Sequence, residues 1–127
     1  MNTRVGLWID HKKAIVVFLT GENEKIKLIR SFLEKPKQSS ADDKQQREWT
    51  EDLNQYYDEV ILSLHEAEAI LIVGPGEAKG ELRDCLERKP LAGREITVET
   101  VGRLTENQVV AKVRQHFLKR GAVASAR

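Results

Sequence analysis

Apolar and polar positions follow two periods along this chain, and the switches between them outline its elements. Val5–Ile9 is a short apolar run with β-branched and aromatic residues, the pattern of a strand. Asp10-His11-Lys12-Lys13 is a polar turn. Ala14–Leu19 is apolar on both faces, as expected of a central strand. Gly21 and Asn23 mark a second turn. Lys25–Phe32 begins by alternating Lys, Ile, Lys, Leu, which gives a strand with one wet face and an edge position. Together these three strands predict an antiparallel meander.

The next stretch loses its apolar period. Glu34–Glu48 is polar and contains Pro36, so Leu33–Trp49 reads as one long loop, expected to be mobile or functional. Thr50 suits a helix N-cap, and Leu53, Tyr57, Val60, Ile61 and Leu64 then fall at helical spacing. Glu51, Asp52, Asp58, Glu59, Glu66 and Glu68 make the rest of that helix acidic, a surface that would repel phosphate. Ala69–Val73 reads as a buried strand stopped by Gly74-Pro75-Gly76. Glu77–Lys89 reads as a helix with Ala78, Leu82, Cys85 and Leu86 inward. Pro90 and Gly93 mark a loop, and Ile96–Val101 alternates as a strand. Thr105 caps a last helix, with Val109, Val113 and Phe117 inward, Gly121 as its stop and Ala122–Arg127 as a frayed tail. Short helices between strands imply right-handed crossovers and parallel pairing of the later strands. The expectation is one α/β domain over residues 1–127, a three-layer, five-stranded mixed sheet with three helices.

Charge modifies this picture. The net charge of +1 hides an uneven distribution. Residues 1–37 carry eight basic groups against four acidic, residues 38–106 eight against sixteen, and residues 107–127 five against none. Such separation suits a basic face for nucleic acid, although helix C-termini also favour cations. The single cysteine, Cys85, excludes an intrachain disulfide and a cysteine-based zinc site. No apolar run approaches a membrane span and no secretory h-region precedes Val5, so a cytoplasmic setting with no membrane partner is expected.

Two local constellations could carry chemistry. Gly74-Pro75-Gly76 joins a strand to a helix N-terminus, a place that can receive an anion. Yet the run lacks both the P-loop and the dinucleotide spacing, and Glu77 puts a negative charge where a phosphate would sit, which favours a simple tight turn. Asp10 and His11 end the first strand. If that strand neighbours Ala69–Val73, then Asp10, His11, Gly74, Pro75, Gly76, Lys79 and Arg103 gather in a crevice beyond the strand ends. Asp and His are also good turn residues, the reading favoured here. His65 and His116 are isolated, no metal set or cofactor motif stands out, and there is no hydrolase elbow.

The strand opening Val5-Gly6-Leu7-Trp8-Ile9-Asp10, followed by a polar loop, a helix and Ile70-Leu71-Ile72-Val73-Gly74-Pro75-Gly76, resembles the central domain of class-one peptide release factors and of Pelota. The segment Val98–Thr105 with Gln108–Arg114 looks like stand-alone bacterial relatives of that domain. The resemblance covers about residues 5–118 and implies a ribonuclease H-like sheet of order 3-2-1-4-5. It also places a functional Gly-Gly-Gln between the third strand and the first helix. This chain departs there: it has no glycine between Gly21 and Gly74. Without glycines that let backbone enter a crowded site, hydrolysis does not carry over.

The resemblance therefore implies a translation-associated accessory protein that binds ribosome or tRNA and does not hydrolyse peptidyl-tRNA. Candidate RNA contacts are Lys25, Lys27, Lys35, Lys37, Lys44 and Arg47, on the edge strand and the long loop leaving it. No catalytic residue and no cofactor is assigned. The alternatives are a small-ligand or protein-interaction module, including a homo-oligomer, and a residual metal-dependent nuclease. The nuclease would need several carboxylates around paired metals, and only Asp10 stands near a suitable strand end.

Overall fold

The computed structural model describes residues 3–21, 23–31, 43–88 and 94–125, the side chains of 43–46 and 119–125 excepted. Its elements run β1 (Thr3–Ile9), β2 (Lys13–Thr20), β3 (Asn23–Arg30), α1 (Asp43–Ser63), β4 (Ala67–Gly74), α2 (Ala78–Glu87), β5 (Glu95–Thr100) and α3 (Glu106–Ser125). The sheet order is β3-β2-β1-β4-β5. β1 pairs antiparallel with β2, and β2 with β3, while β1–β4 and β4–β5 are parallel. This is the mixed five-stranded α/β architecture expected from the sequence.

Alternation along the strands divides the core into two layers. Val5, Leu7, Ile9, Val16, Ile70 and Ile72 face α1 and α2, meeting Leu53, Tyr57, Val60, Leu82 and Leu86. Trp8, Ile15, Val17, Leu71 and Val73 face α3, meeting Val109, Val113 and Phe117. β1 and β4 are therefore apolar on both sides because both sides are covered. Two glycines set how closely the layers approach. A Cβ on Gly6 would overlap the Val113 side chain, so Gly6 seats α3 on the sheet. A Cβ on Gly74 would overlap the Ile9 carbonyl oxygen, so Gly74 lets the ends of β1 and β4 close up.

The helix ends differ from the sequence reading. α1 begins at Asp43, so residues 43–49 are helical and Thr50 lies inside the helix. This segment is polar all round but rich in Lys, Gln, Arg and Glu, which are good helix formers, and Trp49 packs against the core one turn before Leu53. Residues 32–42, the rest of the expected loop, lie outside the described residues, as do Pro90 and Gly93. His65 and Glu66 lie in the turn after α1, and Glu68 is on β4, so the acidic face of the helix is Glu51, Asp52, Asp58 and Glu59, all exposed. Tyr56 joins the buried stripe beside Tyr57. At the other end, α3 passes through Gly121 to Ser125. One glycine costs about 1 kcal/mol of helix propensity but does not stop a helix followed by Ala, Val and Ala. Thr105 does cap α3: its Oγ1 accepts the Gln108 amide at 3.2 Å, and Gln108 Oε1 accepts the Thr105 amide at 2.8 Å. Among the described residues no helix is long and apolar enough to cross a membrane.

Candidate functional site

The parallel pairing of β1 and β4 brings Asp10 and His11 to the same end of the sheet as Gly74, Pro75 and Gly76. The chemistry there is largely consumed by the fold. Asp10 Oδ1 accepts the amides of Lys12 and Lys13, each at 2.8 Å, closing the β1–β2 turn. Its carbonyl accepts the Tyr56 hydroxyl at 3.0 Å. His11 Nε2 lies 3.0 Å from Glu81 Oε1, the same oxygen that accepts the Tyr57 hydroxyl at 2.6 Å. The edge of the His11 ring meets Trp49, with ring centroids 5.5 Å apart. Ser31 Oγ donates to the His11 carbonyl at 2.6 Å. This cluster ties the first turn to β3, α1 and α2.

Both tyrosines serve as donors. Burial, then the hydrogen bond to Glu81, holds the Tyr57 hydroxyl protonated well above its usual range. Burial, then the charges of Asp10 and Glu59, does the same for Tyr56. Neither phenol is a base at physiological pH. The remaining crevice candidates point elsewhere. Pro75, Gly76 and Arg103 are exposed, and the Lys79 ammonium turns back onto the Gly76 carbonyl at 2.5 Å. Gly102, before Arg103, accepts the Trp8 indole at 2.9 Å on the α3 side of the sheet, opposite His11 and Glu81. Among the described residues no three His, Cys, Asp or Glu side chains gather to hold a metal.

The basic candidates separate more clearly. On α3, Lys112 pairs with Glu99 at 3.0 Å and Arg114 with Glu24 at 2.5 Å, so both charges are spent within the chain. On β3, Lys25 and Lys27 are exposed, and Lys27 Nζ donates to the neutral Ser63 hydroxyl at 3.2 Å. Arg47 is exposed on α1, sixteen residues before Ser63 and therefore about 24 Å away along the helix axis. It lies at the Trp49–His11 end, whereas Lys25 and Lys27 flank the other end of the helix. Arg47 and the two β3 lysines therefore stand at opposite ends of α1. Lys35 and Lys37 lie outside the described residues, and the Lys44 side chain does too.

No family model and no curated protein matches the sequence. Solved structures match its fold. Pelota from Archaeoglobus fulgidus aligns with a TM-score of 0.63 at 17% identity, over 98% of this chain and 35% of that one. Pelota from Thermoplasma acidophilum aligns at 0.56 and 16%, over 87% and 31%. An archaeal translation termination factor aligns at 0.57 and 15%, over 90% and 34%. The chain spans about a third of the length of these proteins, and the likeness is one of fold.

Proposed function

We propose that this chain is a translation accessory domain that binds the ribosome or tRNA and does not release peptides. The observation that carries this reading is the shared architecture with an archaeal translation termination factor over 90% of the chain. The composition of the segment between β3 and α1 separates it from a hydrolytic role. There is no glycine anywhere from Asn23 to Val73, so the segment offers no Gly-Gly-Gln to a peptidyl-tRNA ester.

Exposed Lys25 and Lys27 supply phosphate contacts along β3, and Lys12, Arg30 and Arg47, all exposed, supply others where the β3–α1 segment begins and ends. The acidic outer face of α1 lies between the two groups and keeps phosphate off the helix itself. Cosedimentation of the purified chain with ribosomes at low salt tests the reading, paired with a peptide-release assay on the same complexes. The chain should pellet with ribosomes and leave the peptidyl-tRNA ester intact. A chain that stays in the supernatant at low salt, or that releases peptide as a genuine release factor does, contradicts it.

A further inference from the structure

Among the described residues β3 is bonded on one side only. The direction of its free backbone groups can be read from the residue that follows it. The Ser31 amide donates to the Lys12 carbonyl at 2.9 Å, so Ser31 points towards β2. Strand residues alternate, and the backbone groups of Lys25, Lys27 and Ile29 therefore also point to β2, while those of Glu24, Ile26, Leu28 and Arg30 point out of the sheet. These same four residues carry their side chains on the α3 face. Ile26 lies beside Val17 and Leu28 beside Ile15, both members of the α3-side core. α3 leaves them uncovered: Ile26 is 44% and Leu28 43% exposed. Lysines commonly guard an open edge, but Lys25 and Lys27 stand on the opposite face.

We propose that this edge pairs antiparallel with β3 of a second copy, about a two-fold axis passing between the two Lys27 residues. In that register Glu24 lies opposite the partner's Arg30, and Ile26 opposite the partner's Leu28. Every outward residue then both donates and accepts across the new ladder, opposite charges meet at both ends, and aliphatic side chains meet in the middle. Sliding either chain by two residues sets Glu24 against Leu28 in one direction and Ile26 against Arg30 in the other, so charge and shape select one register. Among the described residues Arg114 engages Oε2 of Glu24, and the other oxygen can meet the partner's Arg30. The mismatch is Lys27 facing its own copy, eased because its ammonium is drawn aside to Ser63. A single strand pair is a narrow interface, so the affinity is modest and the dimer reversible.

The test uses the nuclease-treated full chain in sedimentation velocity over a concentration series. The parent should show a monomer–dimer equilibrium. Glu24→Arg alone, or Arg30→Glu alone, sets like charges against each other at both ends and should weaken the dimer about tenfold. Mixed together, the two variants should form a heterodimer close to the parent in affinity, because opposite charges then meet at both ends. Lys27→Val should tighten the dimer several-fold. A parent that stays monomeric throughout, single variants as dimeric as the parent, or a mixture no tighter than its components would each overturn the proposal. Because no RNA is present, none of these outcomes bears on ribosome binding.

Discussion

β3 and β4 are strands of the same sheet, each eight residues long, and they have opposite fates. From Ile70 to Gly74 every residue of β4 is buried, whereas β3 buries Ile29 alone. The ladder bonds do not make this difference. α1 and α2 cover one face of β4 and α3 the other, while β3 lies beyond α3 and keeps its lysines in water. The centre of the sheet thus carries the stability of the fold, and its edge carries surface that stability does not need. That is where contact with other molecules should be sought.

The largest effects should come from the centre. Leu71→Ala would remove a fully buried side chain from the α3 layer and should cost about 3 kcal/mol in urea unfolding. Gly6→Val should cost a similar ~3 kcal/mol by forcing Val113 and α3 off the sheet. Loss of well under half that amount at either site would mean that α3 is loosely docked. Tyr57→Phe removes the donor to Glu81 from the cluster at the strand ends and should cost about 1–2 kcal/mol. The two buried tyrosines also give an alkaline signature. Their native hydroxyls ionise above the ordinary value near 10, so stability is intact below pH 10 and falls as pH rises beyond it, where only the unfolded chain loses these protons. A melting temperature insensitive to pH above 10 would contradict the burial of these hydroxyls.

What the sequence disclosed and what it hid follow the range of the interactions. Strand positions, the inward residues of α2 and the Thr105 cap were legible because each depends on near neighbours in the chain. The start of α1 was not, because residues 43–48 are helical without an apolar stripe, and Trp49 was the available clue. The His11–Glu81 contact joins residues seventy apart, and Arg114–Glu24 joins residues ninety apart. No local spacing signals either, so the basic residues of α3 looked available in the sequence when Lys112 and Arg114 are paired in the fold. Asp10 read as a turn residue ahead of a crevice residue, and its oxygen does hold the amides of Lys12 and Lys13.

Smaller effects sharpen the contrast. Thr105→Ala should cost about 1 kcal/mol, seen as lower helicity and a lower melting temperature, because it removes half of the α3 capping box. Leu28→Thr on the open edge should change stability by less than about 0.5 kcal/mol. Measured at concentrations where the chain is monomeric, a cost like that of Leu71→Ala would show that β3 is covered within its own chain and would erase the distinction between edge and centre.

The central claim is that the β3 edge contacts nucleic acid on the ribosome. The most direct measurement is ribosome affinity over a salt series for the parent and for the double variant Lys25→Glu, Lys27→Glu, with unfolding of both followed in parallel. If both lysines contact phosphate, the log–log salt slope should become shallower by about 1.4–1.8 and affinity at low salt should fall, with stability unchanged. Equal slopes and equal affinities for the two proteins would contradict the account.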